Sequence, residues 1–473
     1  MKPVVAQWLA EEPHQKFLYS IRTMNNTIKS IASSAVFISA SALFCTYSWA
    51  ALPIQKFQLP GGALVYLVES PAIAMLDAQI DFDGGSRRDP ASKAGLASMT
   101  ATLLEKGVLA KNGQSALDEN ALGEAWADLG AQFSASAGSD RLSFSLRTLT
   151  EPDLLAKAVA LAARQIGEPS FPEAVWQRNQ QKVIAALKEA DTRPSTLAQR
   201  AYSKAVYGAH PYGFEMTGAT TANINTADMR AFYTTSVVAC RARISMVGAV
   251  NRVQAEQIAN AMLARLPQTP CTSLPALAPV LEVIPLAQSA VQTIAFDAAQ
   301  AQVLLGQPGY KRSDPAFFTM LVGNYILGGG GFVSRLMNEV REKRGLTYGI
   351  NSNFAPGLHA GAFTVSLQTR PDQAKEALAV TRQVIDDFVK NGPTDAEVKA
   401  AKDNLIGGFA LLIDSNRKLL GSVSSIAWND LPLDYLDTWQ AQVEKVTAEG
   451  IKAAMAAKLQ PDKMVTVVLG GKP

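Results

Sequence analysis

The feature that most limits what this chain can fold into is that it reads as one unit used twice. In the first half, "GGSRRDPASKAGLASMTATLL" lines up with "PGYKRSDPAFFTMLVGNYILG" in the second, and Asp89-Pro90 answers Asp314-Pro315. Further along, "INTADMRAFYTTSVVACRARISMVGAV" parallels "VTAEGIKAAMAAKLQPDKMVTVVLGGK". In each of these a Thr-capped helix precedes a β-branched strand that ends at glycine. Matches recurring in the same order argue for duplication more strongly than one match does. Between the copies lies the proline-rich stretch "LPQTPCTSLPALAP", Leu266 to Pro279, which reads as a linker. The expected organisation is therefore a presequence over 1–50, a first domain over 51–265, a linker over 266–279 and a second domain over 280–473.

Within each half, stretches such as "ALVYLVE" and "AMLDAQIDF" have strand character, whereas "TAEGIKAAMAAKL" and "QAKEALAVTRQVIDDFVKNG" have helical spacing. The last of these closes at Asn391-Gly392, a helix stop. Strands and helices do not alternate strictly, so the expected class is α+β, each sheet covered by helices on one face. Two such halves can enclose a clam-like chamber.

The segment "IASSAVFISASALFCTYSWA", Ile31 to Ala50, is uncharged, follows Lys29 and ends in Ser48-Trp49-Ala50. This is the pattern of a secretory signal peptide cleaved after Ala50, which implies a periplasmic protein. The alternative is a membrane anchor formed by residues 31–50, since a spanning helix needs about 20 residues. Glu11 and Glu12 fit poorly in the charged leader of such a signal, and Met24 followed by "NNTIK" makes a conventional start. Cys45 follows Phe44, too bulky for a lipoprotein cleavage site. Beyond the signal only Cys240 and Cys271 remain, and they either pair in an oxidising compartment or stay as separate thiols. A net charge of +3 over 473 residues, with no compact Lys/Arg cluster, excludes a nucleic-acid binder.

The stretch "KAGLASMTATLLEKG", Lys93 to Gly107, has the spacing of a buried helix but carries no ionisable side chain between Lys93 and Glu105. It follows "DFDGGSRRDP", a charged, turn-rich run of the kind that positions a functional helix. Together with "YGAHPYG" and "GGGGFVSRLMNEVREKRGLTYG", these motifs and the duplicated α+β plan resemble the M16 peptidases, the pitrilysin-like or inverzincin metallopeptidases, in their smaller bacterial class. The resemblance runs from about Leu52 to the C-terminus. Active members of that family carry H-x-x-E-H on the helix after this run, with two imidazoles on one helix face for Zn²⁺ and a Glu that activates the bound water. By this resemblance the three positions are Ser98, Ala101 and Thr102, and the further ligand position, in the run "VIAALK", is Ala186. None of the four can serve as a zinc ligand here, and a tetrahedral site needs at least three protein ligands. The only histidines are His14, His210 and His359. His210, in "AHPYG", has no second ligand at helical spacing and reads as a turn or packing residue.

The complementary motif is kept. "ILGGGGFVSRLMNEVREKRGLTYGINSNF" reads as a helix, a glycine turn over Gly328, Gly329, Gly330 and Gly331, a second helix ending at Gly345, and a strand entered through Tyr348. The resemblance implies that Arg341 and Tyr348 project towards a catalytic site, where a guanidinium and a phenol hydrogen-bond substrate carbonyls and a developing oxyanion. Arg335 and Arg344 read as structural or surface charges. The glycines would permit close peptide approach or form a plain flexible connection. "GGGGF" lacks the following Lys-Ser/Thr of a phosphate loop and does not match a dinucleotide fingerprint.

These readings lead to the expectation of a non-catalytic, substrate-binding subunit of a heteromeric zinc peptidase. The chain itself would hold no metal or cofactor and would be inactive alone. An M16-type partner with H-x-x-E-H would hold the zinc, and Arg341 and Tyr348 would complete its site around a peptide substrate. The alternatives are a stand-alone peptide-binding pseudoenzyme of the cell envelope and a scaffold whose motif residues are relics.

Overall fold

The computed structural model describes residues 53–471. The signal peptide over 1–50, its cleavage after Ala50, the start at Met24 and His14 lie outside the described residues.

The first half builds a six-stranded sheet from β1 (Gln55–Gln58), β2 (Leu64–Glu69), β3 (Met75–Phe82), β6 (Gln132–Ala137), β7 (Leu142–Leu149) and β8 (Arg243–Gly248); a short side pair, β4 (Gly107–Val108) and β5 (Leu117–Asp118), stands apart. The second half builds a five-stranded sheet from β9 (Ala290–Ile294), β10 (Ala301–Pro308), β11 (Ile350–Phe354), β12 (Ala362–Thr369) and β13 (Val465–Leu469). The spatial orders are β1-β2-β8-β3-β7-β6 and β11-β12-β10-β13-β9. Set β1 aside and reverse the second order, and the two match strand for strand. Each sheet has a single parallel pair, β2 with β8 and β13 with β9, at the same place in that order. The duplication read from the sequence is thus a duplication of topology, and the two aligned glycine-ended strands are β8 and β13.

One face of each sheet carries helices of its own half. Leu76, Ala78, Ile80 and Phe82, alternate residues of β3, pack with Leu96 and Leu103 of the helix Leu96–Leu104 and with Ala158 and Ile258 from two further helices. The expectation of cover on one face describes only this side. On the other face Tyr66, Val68 and Val247 pack against Leu419, Val423 and Ile426 of Asn416–Trp428, a helix of the second half. Reciprocally, Leu304, Val465 and Val467 pack against Ala198, Tyr202 and Val206 of Pro194–Tyr207, a helix of the first half. The halves therefore exchange a helix. The physical reason lies in strands such as β2, "LVYLVE", whose four central residues are all buried; a strand apolar on both faces needs cover on both.

Specific contacts fix both exchanged helices. The Tyr202 hydroxyl donates to the Phe363 carbonyl at 2.7 Å, directly above Gly306, where an added Cβ would come within 2.1 Å of that hydroxyl oxygen and 1.9 Å of that carbonyl oxygen. On the other side Asp81, fully buried on β3, accepts from Ser424 Oγ at 2.8 Å, Ser143 Oγ at 2.5 Å, Gln79 Nε2 at 2.8 Å and Arg141 Nη1 at 3.1 Å. Arg243 adds contacts to the end of the same exchanged helix, reaching the Trp428 carbonyl at 3.0 Å and pairing with Asp430 at 3.0 Å.

From Leu266 to Ser289 the chain has no regular element beyond one short turn, so ten residues separate the end of the proline-rich run from β9. This connection is tied down along the first half. Cys240 and Cys271 form a disulfide, with Cα atoms 5.6 Å apart, which decides between the two cysteine readings. Arg88 Nη1 donates to the Ala278 carbonyl at 2.9 Å, and Arg241 Nη2 to that of Pro275 at 2.5 Å. Among the described residues no helix is long and apolar enough to cross a membrane.

Candidate functional site

The helix Leu96–Leu104 is anchored at its start by Asp89, whose carboxylate accepts from the Gly95 N–H at 2.8 Å and the Ala97 N–H at 2.9 Å. Burial pushes the Asp89 carboxyl up to about 6 against the opposing pull of those backbone donors. Asp314, its counterpart in the second half, likewise accepts from a backbone N–H, that of Ala316, and forms an ion pair with Lys458. The inward residues Leu96, Met99 and Leu103 keep the packing register expected from the sequence.

The face that would hold a metal offers little to one. Ser98 is half-buried, Ala101 is buried, and the Thr102 hydroxyl donates back to the Ser98 carbonyl at 3.0 Å. Ala186 sits exposed on the helix Glu173–Ala190. These four positions offer two hydroxyls and two methyl groups, and one hydroxyl is already engaged by its own helix. This donor set does not fit Zn²⁺. Among the described residues no group of three or more His, Cys, Asp or Glu side chains stands together as a metal site.

The Arg341–Tyr348 segment is built differently from the two plain helices expected. The helix Phe317–Asn324 widens into a π-helical turn, Tyr325–Gly329, in which the Gly330 N–H reaches the carbonyl of Tyr325, five residues back, at 2.8 Å. A second such turn covers Met337–Glu342, with the Lys343 N–H on the Asn338 carbonyl at 3.0 Å. Turns of this kind concentrate at functional sites, because the extra residue re-aims the side chains around it. Gly328 is buried against β11, where a Cβ would meet Ser352 Oγ at 2.5 Å, so at least this glycine is held by packing. The backbone then passes Gly345, whose N–H bonds back to Arg341, and Tyr348 precedes β11 by two residues.

The fold brings Arg341 and Tyr348 together. The guanidinium carbon lies 5.0 Å from the centroid of the Tyr348 ring and 4.6 Å from that of Phe332, with Nε 3.4 Å from Glu342 Oε1. Two aromatic rings thus flank one cation, an arrangement worth about 0.5–1 kcal/mol at an exposed site and useful for orienting the donor fork. Tyr348 is 84% exposed and Phe332 63% exposed, so the stack is presented to solvent. Tyr348 also lines a cavity of ≈ 660 Å³ with Gly328, Gly329 and Met337 on one side and Ser195 and Gln199 of the exchanged helix Pro194–Tyr207 on the other. Neither Ser98, Ala101, Thr102 nor Ala186 lines that cavity.

The other arginines of the motif are occupied. Arg335 grips Glu397 with two bonds of 2.7 Å, which hold the Glu397 carboxyl down at about 2. Arg344 bonds both the backbone and the side chain of Glu339 at 2.7 Å. His210 accepts from the Tyr212 N–H through Nδ1 at 3.1 Å and meets His359 edge-to-face, with ring centroids 5.1 Å apart; His359 Nδ1 lies 3.1 Å from Glu282. Burial, with the neighbouring His359 second, lowers the His210 pKa. Phe332 is the participant that sequence reasoning missed. Its one signal is a bulky aromatic placed directly after four glycines, a position where an exposed turn has no packing need for it.

Comparison with known proteins adds to this geometry. The sequence model described as insulinase (peptidase family M16) matches residues 64–220, and that described as peptidase M16 inactive domain matches residues 223–405. A solved structure of a peptidase M16 inactive domain from Pseudomonas fluorescens is 34% identical, covering 89% of this chain and 98% of its own at a TM-score of 0.82. An uncharacterized zinc protease of Streptomyces coelicolor is 25% identical over 85% of this chain and 86% of its own length. A non-peptidase homolog of Helicobacter pylori, YmxG, is 28% identical over 37% of this chain and 41% of its own length.

Proposed function

Since the chain belongs to the M16 peptidase family, we propose that it is a non-catalytic, substrate-binding M16 subunit that lends Arg341 and Tyr348 to the site of a partner carrying H-x-x-E-H. The observation that carries this reading is the contrast between its two motifs. One helix has lost every metal-binding side chain, while the Phe332–Arg341–Tyr348 stack is assembled and exposed. Among the described residues Arg341 has one carboxylate contact, at 3.4 Å, and Tyr348 is 84% exposed, so the pair contributes little to the core and faces solvent. The names of the relatives, an inactive domain and a non-peptidase homolog, support the non-catalytic part.

In this reading the chain's own residues bind and orient. The Arg341 guanidinium, held by its two rings, offers paired N–H donors to a substrate carbonyl, and the Tyr348 hydroxyl offers a third. The metal and the base belong to the partner. The substrate is a peptide in extended form, held in part through main-chain hydrogen bonds. The Cys240–Cys271 disulfide supports an oxidising compartment and hence the export expected from residues 31–50.

The test is turnover in a complex reconstituted with an H-x-x-E-H homologue from the same genome. Arg341→Ala or Tyr348→Phe is expected to lower turnover roughly 100-fold, the scale of a lost oxyanion donor, with complex formation retained. Unchanged turnover in both variants would return the chain to the reading of a stand-alone peptide binder.

A further inference from the structure

A second cavity, of ≈ 600 Å³, lies between the two halves and includes none of the residues assigned above. It falls within the size range of small-molecule sites, which combine aromatic walls with a few placed polar groups. The walls here are aromatic: Tyr207 and Tyr212 from the first half, Phe317, Phe354 and Trp428 from the second.

The polar groups on this lining are unbalanced towards donors. Arg312 packs with its guanidinium carbon 3.6 Å from the Phe317 ring centroid and donates to the Tyr435 hydroxyl at 2.6 Å, and among the described residues no carboxylate comes within 4 Å of it. Tyr310, only 5% exposed, also stands on this lining with its phenol. Trp428 is 8% exposed, and its indole Nε1 has no acceptor among the described residues. Buried donors are normally satisfied, so this orphaned indole N–H, on a ring whose centroid lies 5.7 Å from the guanidinium carbons of Arg141 and Arg243, calls for an acceptor. Arg141 is the second cation on the lining, with Nη1 engaged by Asp81 and Ser424. Asp140, the one carboxylate on this lining, is already spent. It lies 3.1 Å from Arg87 Nε, and it accepts from the Tyr212 hydroxyl at 2.6 Å and the Leu358 N–H at 3.1 Å.

We propose that this cavity binds an organic carboxylate with an aromatic body, its charge on Arg312 and its ring among the aromatic walls. A short peptide with a free aromatic C-terminus and a free aromatic acid both carry this chemistry. The proposal does not depend on the subunit reading above, because it uses none of the same residues.

The experiment is calorimetric titration of the protein with three probes: N-acetyl-alanyl-phenylalanine, its C-terminal amide, and 3-phenylpropanoate. The acid dipeptide is expected to bind at least tenfold more tightly than the amide, the scale of a lost charge-assisted hydrogen bond. Arg312→Gln is expected to weaken the acid by at least tenfold with an unchanged far-UV spectrum, and Tyr310→Phe, which keeps the cavity's shape, by a smaller factor. Tighter binding of the dipeptide than of phenylpropanoate would assign the cavity to peptide ends, and the reverse order to free acids. Equal affinity for acid and amide, no binding of either acid, or an undiminished affinity in a folded Arg312→Gln protein would overturn the proposal. Should Arg312→Gln fail to fold, the acid-to-amide ratio and Tyr310→Phe decide it.

Discussion

Removing Arg141 tests whether the exchanged helix is held by a buried ion pair. Its partner, Asp81, is fully buried at the contact between β3 and the helix Asn416–Trp428, whereas the Arg141 side chain keeps 29% of its surface exposed. The two single deletions are therefore unequal. Arg141→Ala strands a carboxylate in the interior, and breaking a buried pair from that side costs about 3–5 kcal/mol. The three neutral donors left to Asp81, from Ser143, Gln79 and Ser424, offset part of this, so about 3 kcal/mol is expected. Asp81→Ala leaves only a partly solvated guanidinium and is expected to cost about 2 kcal/mol, mainly through lost hydrogen bonds. The double variant should be no less stable than Arg141→Ala alone, because the second change removes the stranded charge. The assay is urea unfolding followed by far-UV circular dichroism, with free energies from linear extrapolation. A loss below about 0.5 kcal/mol for Arg141→Ala, or strict additivity in the double variant, would refute the reasoning; the surface-pair range would then apply.

Other consequences are as direct. Cys240→Ser opens a 31-residue span and is expected to cost about 3–4 kcal/mol by loop-closure entropy, read as a lowered urea midpoint that matches the reduced wild type. Gly306→Ala forces a Cβ into the Tyr202 hydroxyl and the Phe363 carbonyl, and about 2–3 kcal/mol of overpacking cost is expected in the same assay. Glu397 is held at about 2 by Arg335, below its ordinary 4.5, so its contribution is fully present above pH 4.5 and is lost as pH falls towards 2. With both side chains partly exposed, roughly 1–2 kcal/mol is at stake, and Arg335→Ala should remove that part of the acid-side slope in stability-against-pH curves.

The sequence carried the duplication because both copies keep the same order of turn, helix and glycine-ended strand, and the two sheets repeat one strand order. The expectation of a lost metal face rests on residue types alone, at Ser98, Ala101, Thr102 and Ala186. The helix exchange was harder to read. The two-sided apolar pattern of β2 shows that a second cover is required, but not that Asn416–Trp428, about 350 residues away, supplies it. The π-helical turns around Gly328–Gly331 also escaped. A bond to the fifth residue back differs from an ordinary helical bond only through tertiary packing, here the seating of Gly328 on Ser352. Arg341 and Tyr348 were legible as a pair, whereas Phe332, nine residues before Arg341, matches no helical or strand period and emerged only as the third member of the stack.

The most direct measurement of the central claim is peptidase activity and zinc content of the chain from Ala51, alone and mixed with a co-expressed H-x-x-E-H homologue of the same genome. The account predicts neither activity nor stoichiometric zinc for the chain alone, and cleavage in the mixture that exceeds that of the homologue by itself. One equivalent of zinc with chelator-sensitive cleavage by this chain alone would contradict it, as would a homologue whose activity the chain leaves unchanged.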